Sequence, residues 1–149
     1  MLDSTTNRLI IPGQGNGNIS IFQLDENGLP LRRTADYVLG HESTYGRRTS
    51  SGDVAIDKLP FSTSPAIDEV NQRLFAVDRT VNSWGPGLRI LVFDIHPDTI
   101  ETGSEAIAVI GASDFESRET GIGPNRFQSA SVLVDSANQR LFVTDGPNN

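Results

Sequence analysis

The chain has only two histidines, His41 and His96, the side chains best suited to acid–base catalysis or metal binding near neutral pH. Each is predicted to lie in a loop, and no pattern in the sequence places the two together. A metal site or an acid–base pair needs several groups that converge on one point. The chain contains no cysteine, which excludes thiol nucleophiles and cysteine-bound metals. We therefore predict no catalytic residue, no metal site and no cofactor.

Carboxylates could bind calcium at the ends of two predicted strands. Asp78 and Asp145 occupy the same place in two related segments, but the first segment has no carboxylate there. Calcium takes roughly six to eight oxygen ligands, so we interpret both aspartates as turn-capping residues. Residues 25–28 (Asp-Glu-Asn-Gly) resemble the start of a calcium loop, yet the closing position holds Asp36 instead of glutamate. A hairpin turn is the better interpretation.

Arginines recur at a fixed spacing after aspartates. Three pairs are separated by five residues: Asp3 and Arg8, Asp68 and Arg73, Asp135 and Arg140. In each pair the arginine begins an apolar segment. We predict an Asp–Arg contact within each repeat that ties one strand to the next across a tight turn. A ligand-facing role for the arginines is the alternative.

The long segments between predicted strands, at 41–62 and 112–129, offer surfaces for binding. Arginine and aromatic side chains are the usual anchors of protein interfaces, and extra loops on a rigid scaffold often carry function. The candidate interaction residues in these segments and in the loop around position 84 are Arg47, Arg48, Trp84, Arg118 and Arg126.

The elements that would position these residues form a repeat. The tract 68–74 aligns with 3–9 and with 135–141, at spacings of 65 and 67 residues. The recurring segments are short, rich in Val, Ile, Leu and Phe, and bounded by Gly, Asn, Asp or Pro, which is typical of β-strands. One unit is predicted to contain four strands, at 65–67, 73–77, 89–94 and 106–110, which we label a, b, c and d.

Two of these strands are apolar without interruption, at 74–77 and 90–93. A strand of a β-sandwich has one wet face and should alternate apolar with polar residues. An uninterrupted apolar strand instead needs cover on both faces, and each blade of a β-propeller is pressed between two others. We predict an all-β fold of four-stranded antiparallel propeller blades, with about two blade equivalents in this chain. A sandwich and other all-β folds are the alternatives.

Several tracts resemble a known repeat family. Residues 135–149, and residues 72–78 leading to 89–94, resemble the NHL-repeat signature. The longer unit, with Asp114-Phe115 after a glycine, looks like the large-blade NHL-like propellers of bacteria, although residues 41–45 depart from that pattern. The resemblance implies a propeller fold. Proteins of this kind are mainly interaction platforms, a few bind RNA, and related propellers include lyases and lactonases.

The strand letters predict how the units are divided. Residues 1–149 form one propeller segment, with a partial blade at 1–40 (strands b, c and d), a complete blade at 63–111 and a partial blade at 130–149 (strands a and b). A closed ring of six or seven such blades would need roughly 390 to 470 residues. The chain is therefore expected to be part of a larger propeller or to associate with other copies of itself.

Composition limits the classes of binding partner and does not indicate the cellular compartment. The net charge is −7, and the basic face that a nucleic acid needs is missing. The apolar runs are far too short for a membrane span. We predict a non-enzymatic module for protein interaction or self-assembly, acting through blade-top loops or open strand edges. The alternative is a fragment of a propeller enzyme, of lyase or lactonase type, whose axial active site lies mostly outside this chain.

Overall fold

The computed structural model describes residues 1–13, 17–42, 62–78, 88–117, 123, 126 and 131–145. Within these ranges the fold is all-β, with one turn of 3-10 helix at Ser136–Asn138. No helix among these residues has the length and apolarity that crossing a membrane requires. The strands are β1 Leu2–Asp3, β2 Arg8–Gly13, β3 Asn18–Gln23, β4 Tyr37–Leu39, β5 Ser62–Asp68, β6 Arg73–Asp78, β7 Arg89–Asp94, β8 Ala108–Ile110, β9 Val132–Asp135 and β10 Arg140–Val143.

The strands form three antiparallel sheets. Sheet 1 has the order β1-β2-β3-β4, sheet 2 has the order β5-β6-β7-β8, and sheet 3 pairs β9 with β10. The predicted all-β class with four-stranded antiparallel units is confirmed, and the arrangement is compatible with an incomplete propeller. The expectation that residues 1–40 contain only strands b, c and d is wrong. Leu2 and Asp3 supply a short strand a, in which Asp3 lies opposite Arg8.

One irregularity distinguishes strand a of sheet 2 from its predicted form. β5 is longer than expected and carries a register shift against β6 between Thr63 and Ala66. Pro65 lies within this shift. Proline has no N–H to donate to a ladder, so a strand tolerates it at a bulge or an open edge.

The same turn joins strands a and b in every sheet. An aspartate Oδ1 accepts a hydrogen bond from a backbone N–H three residues later: Thr6 to Asp3 at 3.3 Å, Asn71 to Asp68 at 3.2 Å and Asn138 to Asp135 at 3.2 Å. The residue before each arginine is left-handed, with φ of 54° at Asn7, 51° at Gln72 and 54° at Gln139. This side-chain capping explains why the Asp–Arg spacing of the sequence is constant. It places aspartate and arginine opposite each other when the strands pair.

Burial differs among the three sheets although their strands are alike. Sheet 1 packs one face on sheet 2, where Ile10 and Ile21 join Leu74 and Phe93 in a single buried cluster. The opposite face of sheet 2 packs on sheet 3, through Val77 and neighbouring residues. All residues of β7 except the last are buried, whereas β2 and β10 alternate between more and less buried positions. Two-sided cover of uninterrupted apolar strands is confirmed for sheet 2, where each fully buried large apolar side chain contributes about 1.5–3 kcal/mol.

Candidate interaction surface

Most of the predicted interaction residues lie outside the part of the chain that the structure describes. Arg47, Arg48, Trp84 and Arg118 belong to the undescribed residues. Arg126 is described and exposed, and its backbone N–H donates to the carbonyl of Gly123 at 3.2 Å. The structure therefore places one of the five candidates at the surface.

The two histidines occupy different loops. His41 is half-buried and lies in the bend that follows β4. His96 is exposed in the turn that follows β7, with its Nδ1 3.7 Å from Asp98 Oδ2. Among the described residues no group of three or more His, Cys, Asp and Glu side chains could hold a metal ion.

The predicted Asp–Arg pair is present in sheet 1, and it extends into sheet 2. Arg8 is buried, and its Nη2 lies 2.9 Å from Asp3 Oδ2. The same nitrogen donates across the junction to Gln72 Oε1 at 2.6 Å and to the carbonyl of Ile95 at 2.7 Å. Burial would raise the pKa of Asp3, but hydrogen bonds from Thr6 and Arg8 outweigh it and hold the pKa below its usual range. This cluster joins two sheets, a role beyond the predicted pairing of two strands.

In sheet 2 the corresponding arginine, Arg73, forms its ion pair with a residue of β7. Arg73 Nη1 lies 2.8 Å from Oδ1 of Asp94, the residue opposite it on β7. Sheet 1 has Gln23 opposite Arg8, and an amide lacks the charge that draws a guanidinium. Asp68 and Arg73 thus lie opposite each other across the turn, but the ion pair of Arg73 is with Asp94.

Asp68 forms hydrogen bonds within its own turn. Its Oδ2 accepts from Asn71 Nδ2 at 2.7 Å. Burial would raise the pKa of Asp68, but side-chain hydrogen bonds from Asn71 and Ser136 outweigh it and lower the pKa.

A cleft of about 130 Å³ lies between sheets 2 and 3. Its lining residues are Asp68, Asn71, Phe75, Val134, Gln139, Arg140 and Leu141. At the junction of sheets 1 and 2, the guanidinium of Arg8 contacts Asp3, Thr6 and Gln72, the counterparts of three of these residues. The cleft therefore corresponds to the place that Arg8 fills at the other junction, whereas Arg73, the counterpart of Arg8, pairs with Asp94.

Asp78, which we interpreted as a turn cap, forms a buried ion pair. Asp78 is the last residue of β6, fully buried, and its Oδ2 accepts from Arg89 Nε at 2.7 Å. Arg89 is also fully buried, and its Nη1 donates to the carbonyl of Phe115. The strand extends one residue beyond its predicted end, which brings Asp78 directly opposite Arg89. This buried pair holds the segment after β8 against sheet 2.

The outer face of sheet 3 exposes apolar side chains. Leu133 and Phe142 lie opposite each other and are 66% and 51% exposed. The counterpart of Phe142 in sheet 2 is Phe75, which packs beneath sheet 3 with Val132 and Val143. None of these residues was a predicted interaction residue, although the alignment of Phe142 with Phe75 indicates an apolar face at this position.

The outer face of sheet 1 is also apolar. Leu2 is 54% exposed and Ile11 is 43% exposed. Counting from the arginine that begins strand b, Ile11 corresponds to Ala76, which faces sheet 1 from sheet 2. The two outer faces thus present the two complementary halves of the interface that joins neighbouring sheets.

Comparison with known proteins finds no matching family model, no matching curated protein and no matching solved structure. The resemblance to NHL repeats therefore stays a prediction from the residues. The class that the fold defines is an all-β chain of packed antiparallel sheets with apolar outer faces.

Proposed function

We propose that this chain is a non-enzymatic interaction module of the incomplete propeller type, and that it assembles head to tail with other copies of itself. The observation that carries the proposal is the exposure of Leu133 and Phe142 on sheet 3, at a face that sheet 2 buries against its neighbour. Burial of such a face stabilises association by about 25 cal/mol for each Å² of apolar surface removed from water.

The partner follows from the two outer faces. The outer face of sheet 3 corresponds to the face of sheet 2 that packs on sheet 3. The outer face of sheet 1 corresponds to the face of sheet 2 that packs on sheet 1. An interface between two different faces of the same chain is heterologous, so it forms a ring when the rotation closes and a filament when it does not. The partner is therefore another copy of the chain, with sheet 3 of one copy against sheet 1 of the next.

Sedimentation of the full chain tests the proposal. We expect species larger than 16.1 kDa whose proportion rises with concentration. Phe142→Asp should shift the chain to monomer because it places a charge in the interface. Leu29→Asp is the matched control, since Leu29 is similarly exposed but lies in the turn that follows β3.

A mixing experiment separates head-to-tail association from other kinds. Ile11→Asp disables the face of sheet 1, and Phe142→Asp disables the face of sheet 3. Each variant alone should be monomeric, while the mixture should form a one-to-one dimer because one intact face of each kind remains. A wild-type chain that stays monomeric at all concentrations, or a mixture that fails to dimerise, would refute the proposal.

A further inference from the structure

The outer edge of β10 is an open ladder in the part of the chain that is described. Thr144 N–H donates to the carbonyl of Ser131 at 3.0 Å, so residues of even number on this strand bond toward β9. In antiparallel pairs the bonding direction alternates along the strand. Leu141 and Val143 therefore direct their N–H and C=O groups away from β9, and no described residue pairs with that side of β10.

Sheets 1 and 2 show what occupies this edge elsewhere in the molecule. There strand b pairs with an antiparallel strand c, β3 in sheet 1 and β7 in sheet 2. The left-handed residue before strand b accepts the last bond of each ladder, from Leu24 N–H to Asn7 O at 3.0 Å and from Ile95 N–H to Gln72 O at 3.0 Å. Gln139 has the same left-handed backbone, with φ of 54°. The edge of sheet 3 is thus shaped to receive a strand of the same kind.

The pairing of β6 with β7 also indicates which side chains a strand added to β10 would need. Phe93 lies opposite Leu74, the counterpart of Leu141, and packs into the core between sheets. Asp94 lies opposite Arg73 and forms an ion pair with it at 2.8 Å. Arg140 is the counterpart of Arg73 and is exposed at the same place in sheet 3.

We propose that the open edge of β10 binds an extended segment of another polypeptide as an antiparallel strand. The segment is apolar on both faces, with an aromatic residue opposite Leu141 and a carboxylate opposite Arg140. Main-chain hydrogen bonds supply affinity in such strand addition and side-chain positions supply specificity. This inference rests on the proposed function, since it names a second kind of partner for sheet 3. It uses the edge of the sheet and not its outer face.

A peptide with the sequence of residues 88–95 is the probe, labelled with a fluorophore through a neutral spacer at its N-terminus. Fluorescence anisotropy with the full chain should show saturable binding. In β7 the residues of odd number bond to β6, as the pairing of Ile95 with Gln72 shows. N-methylation at Leu91 of the peptide should therefore abolish binding, whereas N-methylation at Val92 should preserve it.

The carboxylate is tested by a double-mutant cycle. The peptide with Asp94→Asn should bind the wild-type chain more weakly, by up to about fivefold for an exposed ion pair. The same two peptides should bind equally to the Arg140→Met chain. Equal effects of the two N-methylations, or a lack of saturable binding, would overturn the inference. Sedimentation decides the proposed head-to-tail assembly independently, because that assembly requires no peptide.

Discussion

Replacement of Arg8 by methionine tests whether the buried polar cluster holds sheets 1 and 2 together. The guanidinium satisfies Asp3, Gln72 and the carbonyl of Ile95 at once, at distances of 2.6–2.9 Å. Methionine preserves most of the side-chain volume and makes none of these bonds. The carboxylate of Asp3, which is fully buried, would lose its counter-charge.

The stability lost in Arg8→Met follows from the burial of both Arg8 and Asp3. Removing one member of a buried ion pair costs about 3–5 kcal/mol, because the other is left uncompensated in a medium of low dielectric. Small proteins unfold with a total of about 5–15 kcal/mol, so Arg8→Met should remove a large share of the stability. With an m-value of about 2 kcal/mol per molar urea, the unfolding midpoint should fall by about 2 M.

Arg140→Met is the matched control for this measurement. Arg140 begins strand b of sheet 3 five residues after Asp135, as Arg8 does after Asp3, but it is exposed. Its replacement should change stability by less than about 0.5 kcal/mol. The double variant Asp3→Asn with Arg8→Met should recover part of the loss, because no buried charge remains and Nη1 of Arg8, buried without a partner, is removed as well. Equal midpoint shifts for Arg8→Met and Arg140→Met would refute the reasoning.

Three further changes test the packing and the junction of sheets 2 and 3. Phe93→Ala empties a fully buried site and should lower the free energy of unfolding in urea by about 3–5 kcal/mol. At a concentration low enough for the chain to be monomeric, Phe142→Ala, at an exposed site, should lower it by less than about 0.5 kcal/mol. Asp94→Gln should release Arg73 toward Asp68 and the cleft and raise the free energy of unfolding by about 1 kcal/mol. The backbone amides of β9 and β10 should then exchange more slowly, and unchanged exchange rates would contradict this account of the cleft. The lowered pKa of Asp68 stabilises the fold above its ordinary value of 3.8. That contribution should be lost as the pH falls through the lowered pKa, so Asp68→Asn should show a shallower loss of the urea midpoint than wild type below about pH 4.

Local chemistry made much of the fold predictable. The aspartate that accepts from the backbone three residues later acts over one turn, so its spacing to the arginine recurs in all three sheets. The turn at residues 25–28 is a hairpin as predicted, with Gly28 at φ 78° and Asp25 Oδ1 accepting from the N–H groups of Asn27 and Leu29. The uninterrupted apolar character of β7 correctly required cover on both faces.

The partners of charged residues were less predictable, because they depend on competition among groups distant in sequence. Arg8 and Arg73 have the same local motif but different partners, since one faces Gln23 and the other faces Asp94 across the ladder. The pairing of Asp78 with Arg89 likewise depends on tertiary structure, because it requires β6 to extend one residue beyond its predicted end.

The sequence by itself determined the type of element and the chemistry of its turns, because strand periodicity and aspartate capping operate over a few residues. Only the tertiary structure decided which faces are covered. Ile10 and Ile11 are adjacent isoleucines in one strand, yet the first is fully buried against sheet 2 and the second is exposed. Whether a residue is buried depends on the neighbouring sheet as well as on the residue itself. The packing of the sheets was therefore needed to identify the uncovered apolar faces of sheets 1 and 3.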